Sequence, residues 1–308
     1  MKDLHELPKL RDSLSYLYIE HAIIERDSFS VEIIQETGRT HVPAANLCVL
    51  MLGPGTSITH AAIKILAENG CTIIWGGEEM TRFYAAGVGE TRRAYHVLKQ
   101  AEAYAEATKH EDVVRRMYKA RFGQELEPGL SLTQVRGMEG VRIKKAYQIA
   151  SQKYNIPWEG RRYDRQKWEK GDSINRTLSA ANALLNAICH AAIVSGGYSP
   201  ALGFIHVGHQ LSFVFDIADL YKVDLTIPLA FQITAMHPEN PEIYIRPALR
   251  EQFHAVKLLD RILPDIDALF ELNNEQIQIR EEGKMTGLYE PLWDGVLNEA
   301  EEGVEWSL

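Results

Sequence analysis

Glu139, His206, Asp216 and Asp219 are the residues in this chain whose types and spacing could do chemistry. The two aspartates lie inside GFIHVGHQLSFVFDIADLYK (203–222), where Phe213, Val214, Phe215, Ile217 and Leu220 mark a core-seeking segment. An ionised carboxylate buried without a partner costs several kcal/mol. On a helix, positions i and i+3 share a face, so these two acids repel unless a cation meets them. The plain alternative is a cap for one acid, a Lys or Arg partner for the other, and a satisfied core histidine at 206. A second anomaly is RGMEG (136–140), where Gly137 and Gly140 flank Glu139 in a helical stretch. Each interior glycine costs about 1 kcal/mol relative to alanine. Either something approaches that backbone closely, or a neighbouring helix packs on the small residues. Together the four side chains form an oxygen-rich set with one imidazole, which suits Mg2+ or Mn2+, whereas zinc is expected with more His or Cys. Such ions serve phosphoryl transfer by stabilising charge in the transition state and activating a hydroxyl.

The surroundings are basic and aromatic. Arg142, Lys144 and Lys145 follow Glu139, and Trp158, Arg161, Arg162, Tyr163, Arg165, Lys167, Trp168 and Lys170 come soon after. Basic groups hold phosphates, and aromatics either stack on bases or brace the loop. Arg246 and Arg250, at i and i+4, offer a further phosphate-facing pair or a solvated helix face. Other patterns fail. GPGTSITH (53–60) lacks the GK[ST] ending of a phosphate-binding P-loop, and neither GxSxG nor GxGxxG occurs. Cys189 and His190 are adjacent, but on a helix they point about 100° apart, as core residues do.

Positioning these side chains requires two kinds of structure. Before about residue 88, LSYLYIE, SVEIIQE, NLCVLML, CTIIWGG and TRFYAAG read as short strands, with one helix near 58–69 closed by Gly70. Beyond GVGETRR (87–93) the pattern is helical: 91–122, then 131–154 opened by the capping box SLTQ, then 173–195, and helices near 211–223, 227–237 and 245–271. The expected fold class is α+β: a small N-terminal β-sandwich-like domain with one helix (1–88), a larger all-α C-terminal domain (89–272), and an acidic, flexible tail (273–308).

The net charge of −9 argues at first against a nucleic-acid partner, but its distribution changes that. Residues 273–308 hold nine acids against Arg280 and Lys284, leaving 31 basic and 33 acidic residues in 1–272. Within 136–170 ten Lys and Arg face four acids, a local basic stretch able to meet phosphates. There is no run of 18 apolar residues and no secretory pattern at the start, so no membrane partner and a cytoplasmic location are expected. Cys48, Cys71 and Cys189 are odd in number and far apart, as reduced thiols are.

RGMEGVR, EGRRYD, WEKGDSIN, GFIHVG and LSFVFDIADLYK occur in this order, and with LMLGPGTSITHAA upstream they resemble the CRISPR-associated integrase of spacer acquisition, nearest to its type I-E branch. The likeness covers nearly the whole chain except the acidic tail. It implies an N-terminal β domain, a helical C-terminal domain, and a homodimer, two copies of which clamp a dimer of a small ferredoxin-like CRISPR-associated protein in a heterohexamer. It implies that Glu139, His206 and Asp219 are ligands of Mg2+ or Mn2+, with Asp216 an accompanying catalytic acid. It places Arg82, Arg136, Tyr163, Arg246 and Arg250 at DNA. The reaction implied is attack by the 3′-OH of a captured double-stranded DNA with 3′ overhangs on CRISPR leader-repeat DNA, with nuclease activity on branched DNA. His21 stands where the family has a tyrosine wedge, and His209 where a lysine is expected. Two further readings stay open: an inactive DNA-binding scaffold, and a branched-DNA repair nuclease without a CRISPR array.

Overall fold

Short β-branched runs divided by turn residues build the N-terminal part. The computed structural model describes residues 15–77, 83–87, 94–127, 129–161 and 172–272, together with two short strands at 293–294 and 299–300. One four-stranded sheet has the order β1 (Ser15–Ile19), β5 (Leu47–Leu52), β7 (Thr72–Gly76), β8 (Phe83–Gly87). β1, β5 and β7 run parallel, with Tyr18 beside Met51 and Leu50 beside Ile73, while β8 is antiparallel to β7. A second sheet has the order β4 (Gly38–Pro43), β3 (Ser30–Gln35), β2 (Ile23–Asp27), β6 (Ser57–Ile58). Ile24 pairs with Ile33 there, and Val31 with Val42. α1 (His60–Glu68) starts at Thr59, whose hydroxyl accepts from the Ala62 N–H, and it gives way through Asn69 to Gly70 at φ +71°. Ile24, Val31 and Ile33 of one sheet, Leu50, Leu52 and Ile73 of the other, and Ile65 and Leu66 of α1 share one buried cluster.

β2 and β4 are absent from the sequence expectations. β4 has no buried residue and β2 only one, so neither carries the apolar alternation that marks a half-buried strand. The two strands are held by their hydrogen-bonded neighbours instead.

The helices follow: α2 (Ala94–Ala105), α3 (Ala107–Phe122), α4 (Leu132–Tyr154), α5 (Ser173–Ser195), α6 (Ser212–Ala218), α7 (Thr226–Met236), α8 (Pro241–Ala255) and α9 (Leu258–Leu269). The single helix expected over 91–122 is two, broken at Glu106, whose backbone is extended at φ −95°, ψ 118°. Likewise the helix expected over 245–271 is α8 and α9, parted by Lys257 at φ +50°. α4 has the capping box read from SLTQ: Ser131 and Gln134 exchange side-chain and backbone bonds. α5 is capped by Asp172, which accepts from the Asn175 N–H. It is the hub, packing on α6, α7, α8 and α9 and touching β5 and β7. Its Ala-, Ser- and Asn-rich surface allows those close approaches. By length and composition α5 would cross a membrane, but it is largely buried within the fold.

Met1–Phe270 form one compact unit and Glu271–Leu308 a second, in which β9 (Trp293–Asp294) and β10 (Glu299–Ala300) pair antiparallel. Otherwise the acidic segment 273–308, and with it Trp306, lies outside the described residues.

Candidate active site

Asp216, at 0% exposure, is the most enclosed of the four expected residues. The chain at 203–206 folds back over α6 so that its carboxylate collects donors. Oδ2 accepts from the backbone N–H of Phe204 at 2.6 Å and of Ile205 at 3.1 Å. Oδ1 accepts from the His206 N–H at 3.0 Å and from the His206 ring at 2.7 Å. Four donors use up the lone-pair directions of one carboxylate. Gly203 permits the fold-back, because a Cβ there would overlap the His206 carbonyl oxygen and crowd Ser212.

A carboxylate can only accept, so His206 Nδ1 carries a proton and Nε2 is the ring nitrogen turned toward Asp219. Nε2 stands 3.8 Å from Asp219 Oδ2, and the side chain is 43% exposed. A buried carboxylate that fixes the tautomer and direction of an imidazole is the support that metal-binding histidines use.

Asp219, at the C-terminal cap of α6, is served differently. Lys222 Nζ lies 2.6 Å from its Oδ1, and Arg121 Nη2 lies 3.4 Å from its Oδ2. Burial pushes the Asp219 carboxyl up, but Lys222 and then Arg121 outweigh it, so the group is held below the usual carboxylate range. Glu139, on α4, meets Arg121 Nη1 at 3.8 Å and Arg142 Nη1 at 3.3 Å. Among the described residues no Lys or Arg side chain bridges the two carboxylates: backbone and imidazole hydrogen bonds satisfy Asp216, and Lys222 and Arg121 serve Asp219.

The donors can be tested against a divalent metal. Two ligands about 2.1 Å from one ion stand at most about 4.2 Å apart, and the His206–Asp219 spacing of 3.8 Å satisfies that limit. The imidazole presents Nε2 and both acids are of the oxygen type that Mg2+ and Mn2+ prefer. Glu139 is the third donor by chemistry, here turned onto Arg121 and Arg142. As the side chains stand, no three His, Cys, Asp or Glu among the described residues converge on one metal-sized point.

Arg121 and Lys222 went unassigned in the sequence. The signal for Arg121 was its phase. Val113, Val114, Met117, Tyr118 and Arg121 are the buried face of α3, and an arginine on an apolar stripe must find an acid. Lys222 was marked by its position three residues after Asp219.

The residues expected at DNA are dispersed. Arg136 is exposed on α4. Arg250 is exposed on α8, whereas the Arg246 guanidinium lies over the Tyr18 ring, 4.9 Å from its centre. Arg246 lines a cleft of about 440 Å³ with Tyr18, Glu20, Gln35 and Thr40. His21 is exposed at a turn with φ +48°. Arg82 and Tyr163 lie outside the described residues, as do Arg162, Arg165, Lys167, Trp168 and Lys170. Trp158 braces its loop, stacked on Tyr147 with centroids 4.4 Å apart. Arg161 ties that loop to α5 by donating to the Asn175 carbonyl and the Ser179 hydroxyl. His209 is exposed, and its Nδ1 accepts from the Leu211 N–H at 3.0 Å.

A β region leading into a helical part is also the architecture of a CAS1 protein from Thermotoga maritima. That likeness, at TM-score 0.63 over 88% of this chain and 97% of that one, comes with 16% identity and is one of fold alone. Sequence goes further. Residues 16–128 and 120–237 match the family model of CRISPR associated protein Cas1. The CRISPR-associated endonuclease Cas1 2 of Thermus thermophilus is 49% identical over 308 residues, 99% of this chain and 94% of that protein. The chain in a crystal structure of a TtCas1–DNA complex is 52% identical, with a TM-score of 0.66 over 86% of this chain and 99% of that one. The chain belongs to the Cas1 family of CRISPR-associated proteins.

Proposed function

We propose that this protein is a metal-dependent DNA integrase and endonuclease of CRISPR adaptation, of the type I-E branch. Family membership supports the reading, as do the relative named an endonuclease and the related chain found with DNA. The observation that carries it is the chain of contacts from Asp216 through His206 toward Asp219, which turns an imidazole nitrogen toward a second acid. Glu139, His206 and Asp219 are assigned as ligands of Mg2+ or Mn2+, an ion that would neutralise charge developing on a phosphate and activate a hydroxyl.

The reaction assigned is transesterification. The 3′ oxygen of a captured fragment bonds to phosphorus at the leader-repeat boundary. The bond from that phosphorus to the leader's 3′ oxygen breaks, and the proton passes to the departing oxygen. One phosphodiester replaces another, so no energy source is consumed; water in place of the 3′-OH gives nuclease activity on branched DNA. Asp216 holds the His206 ring throughout. Arg142 and Lys222, each about a quarter exposed, give phosphate oxygens charged donors at the rim. Arg82, Arg136, Tyr163, Arg246, Arg250 and His21 are assigned to duplex DNA with 3′ overhangs and to leader-repeat DNA. Residues 1–88 are assigned to dimerisation and clamping of DNA, and 89–272 to catalysis. The assembly is a homodimer joined with a small ferredoxin-like CRISPR-associated protein in a heterohexamer, working in the cytoplasm.

Strand transfer tests this. A fluorescent 3′-overhang duplex, a supercoiled plasmid bearing a repeat, the small partner protein and Mg2+ or Mn2+ are mixed with wild type or Asp219→Ala. Joining by wild type alone, abolished by a chelator, is expected. Equal DNA binding by both proteins with no joining by either would leave the inactive scaffold as the better account.

A further inference from the structure

Arg121 is the most enclosed cation among the described residues near the site, with only 3% of its side chain exposed. It sits in the last turn of α3. Nη1 faces Glu139 on α4, and Nη2 faces Asp219 at the end of α6. Nη2 also donates to the Asp216 carbonyl at 3.2 Å, and the guanidinium lies 5.5 Å from the centre of the Tyr118 ring. Its buried Nε–H makes no hydrogen bond. The rim cations Lys222 and Arg142 can swing into solvent; Arg121 is tethered on three sides and cannot.

A guanidinium stays charged at every accessible pH, and this one lies between the two carboxylates. A divalent metal on Glu139 and Asp219 would draw on the same two acids and be repelled by the arginine. We infer that Arg121 is a positioning residue and resident counter-ion: it bridges Glu139 and Asp219 in the metal-free protein, and it competes with the divalent metal for them. The inference rests on the metal-site reading above.

Wild-type protein with 15N-labelled arginine and histidine is titrated with Mg2+ alone and followed by NMR at the Arg121 Nε–H and the His206 ring. Both signals should shift over one concentration range. If His206 shifts while Arg121 stays still, the competition is refuted and the metal site stands. If neither shifts, both readings fall. Calorimetry supplies an independent arm. Arg121→Met should lower the metal-free Tm, bind Mg2+ roughly tenfold more tightly once the repulsion is gone, and show a larger Mg2+-induced rise in Tm than wild type. Arg121→Lys, with a charge but no fork, should fall between and stays informative if the Met variant fails to fold. Lower Tm with unchanged Mg2+ affinity in both variants would reduce Arg121 to a packing residue and overturn the inference.

Discussion

At the scale of the residue, Asp216 and Asp219 lie three positions apart and do different work. Asp216 is surrounded by backbone and imidazole donors and meets no Lys or Arg side chain among the described residues, so its removal strands three backbone N–H groups in a buried site. Asp216→Ala should cost about 3–5 kcal/mol, read by urea unfolding. Asp219→Asn leaves Arg121 with Glu139 still beside it and lets the part-exposed Lys222 turn to solvent, and should cost under about 1 kcal/mol at pH 7 while strand transfer is lost. The Asp219 carboxyl is held below its ordinary value, so the stability it contributes is complete above that value and disappears as pH falls through the folded one. Wild type and Asp219→Asn should therefore converge in strongly acidic solution. A large loss at pH 7 in Asp219→Asn, or a small one in Asp216→Ala, would contradict this division. Sequence spacing put both acids on one helix but could not divide the roles, because the donors to Asp216 come from the backbone at 204–206, whose path is set by Gly203. Arg121, some 95 residues earlier in the chain, was legible only as a charge in an apolar phase.

At the scale of the element, α4 carries Glu139 between two glycines. A Cβ at Gly137 or Gly140 would meet nothing within 4 Å, so packing of a neighbouring helix does not account for them. The bare backbone faces open space beside the acid, as close approach of a phosphodiester would require. Gly137→Ala and Gly140→Ala should each stabilise the protein by up to about 1 kcal/mol in thermal unfolding, yet slow strand transfer. Unchanged transfer would remove the reason for the glycines. α1 was legible from Gly70 closing its end, α4 from the Ser131–Gln134 box that opens it, and α5 from its run of Ala, Ser and Asn. The break at Glu106 was hidden because no glycine or proline announces it. β2 and β4 were hidden because pairing, and not burial, makes them strands.

At the scale of the molecule, α5 joins the helices to the β region and buries His190 in its middle. Burial lowers the imidazole from 6.5 to about 4. The unfolded chain takes up a proton in that interval and the folded protein does not, so stability is full above pH 6.5 and declines as pH falls to about 4. The decline should reach roughly 3 kcal/mol. His190→Asn should flatten the profile between those limits in urea unfolding at stepped pH, whatever its effect at pH 7. An equal slope in the variant would show that other groups govern acid sensitivity.

The account centres on one metal held by Glu139, His206 and Asp219, and its location can be seen directly. Crystals of the full chain soaked in Mn2+ and measured at the manganese absorption edge should give an anomalous peak about 2.0–2.6 Å from His206 Nε2 and from an oxygen of each acid. Asp216 should remain on the His206 ring, outside the coordination shell. A peak elsewhere, or none at the three side chains with Arg121 still bridging the acids at saturating Mn2+, would contradict the account.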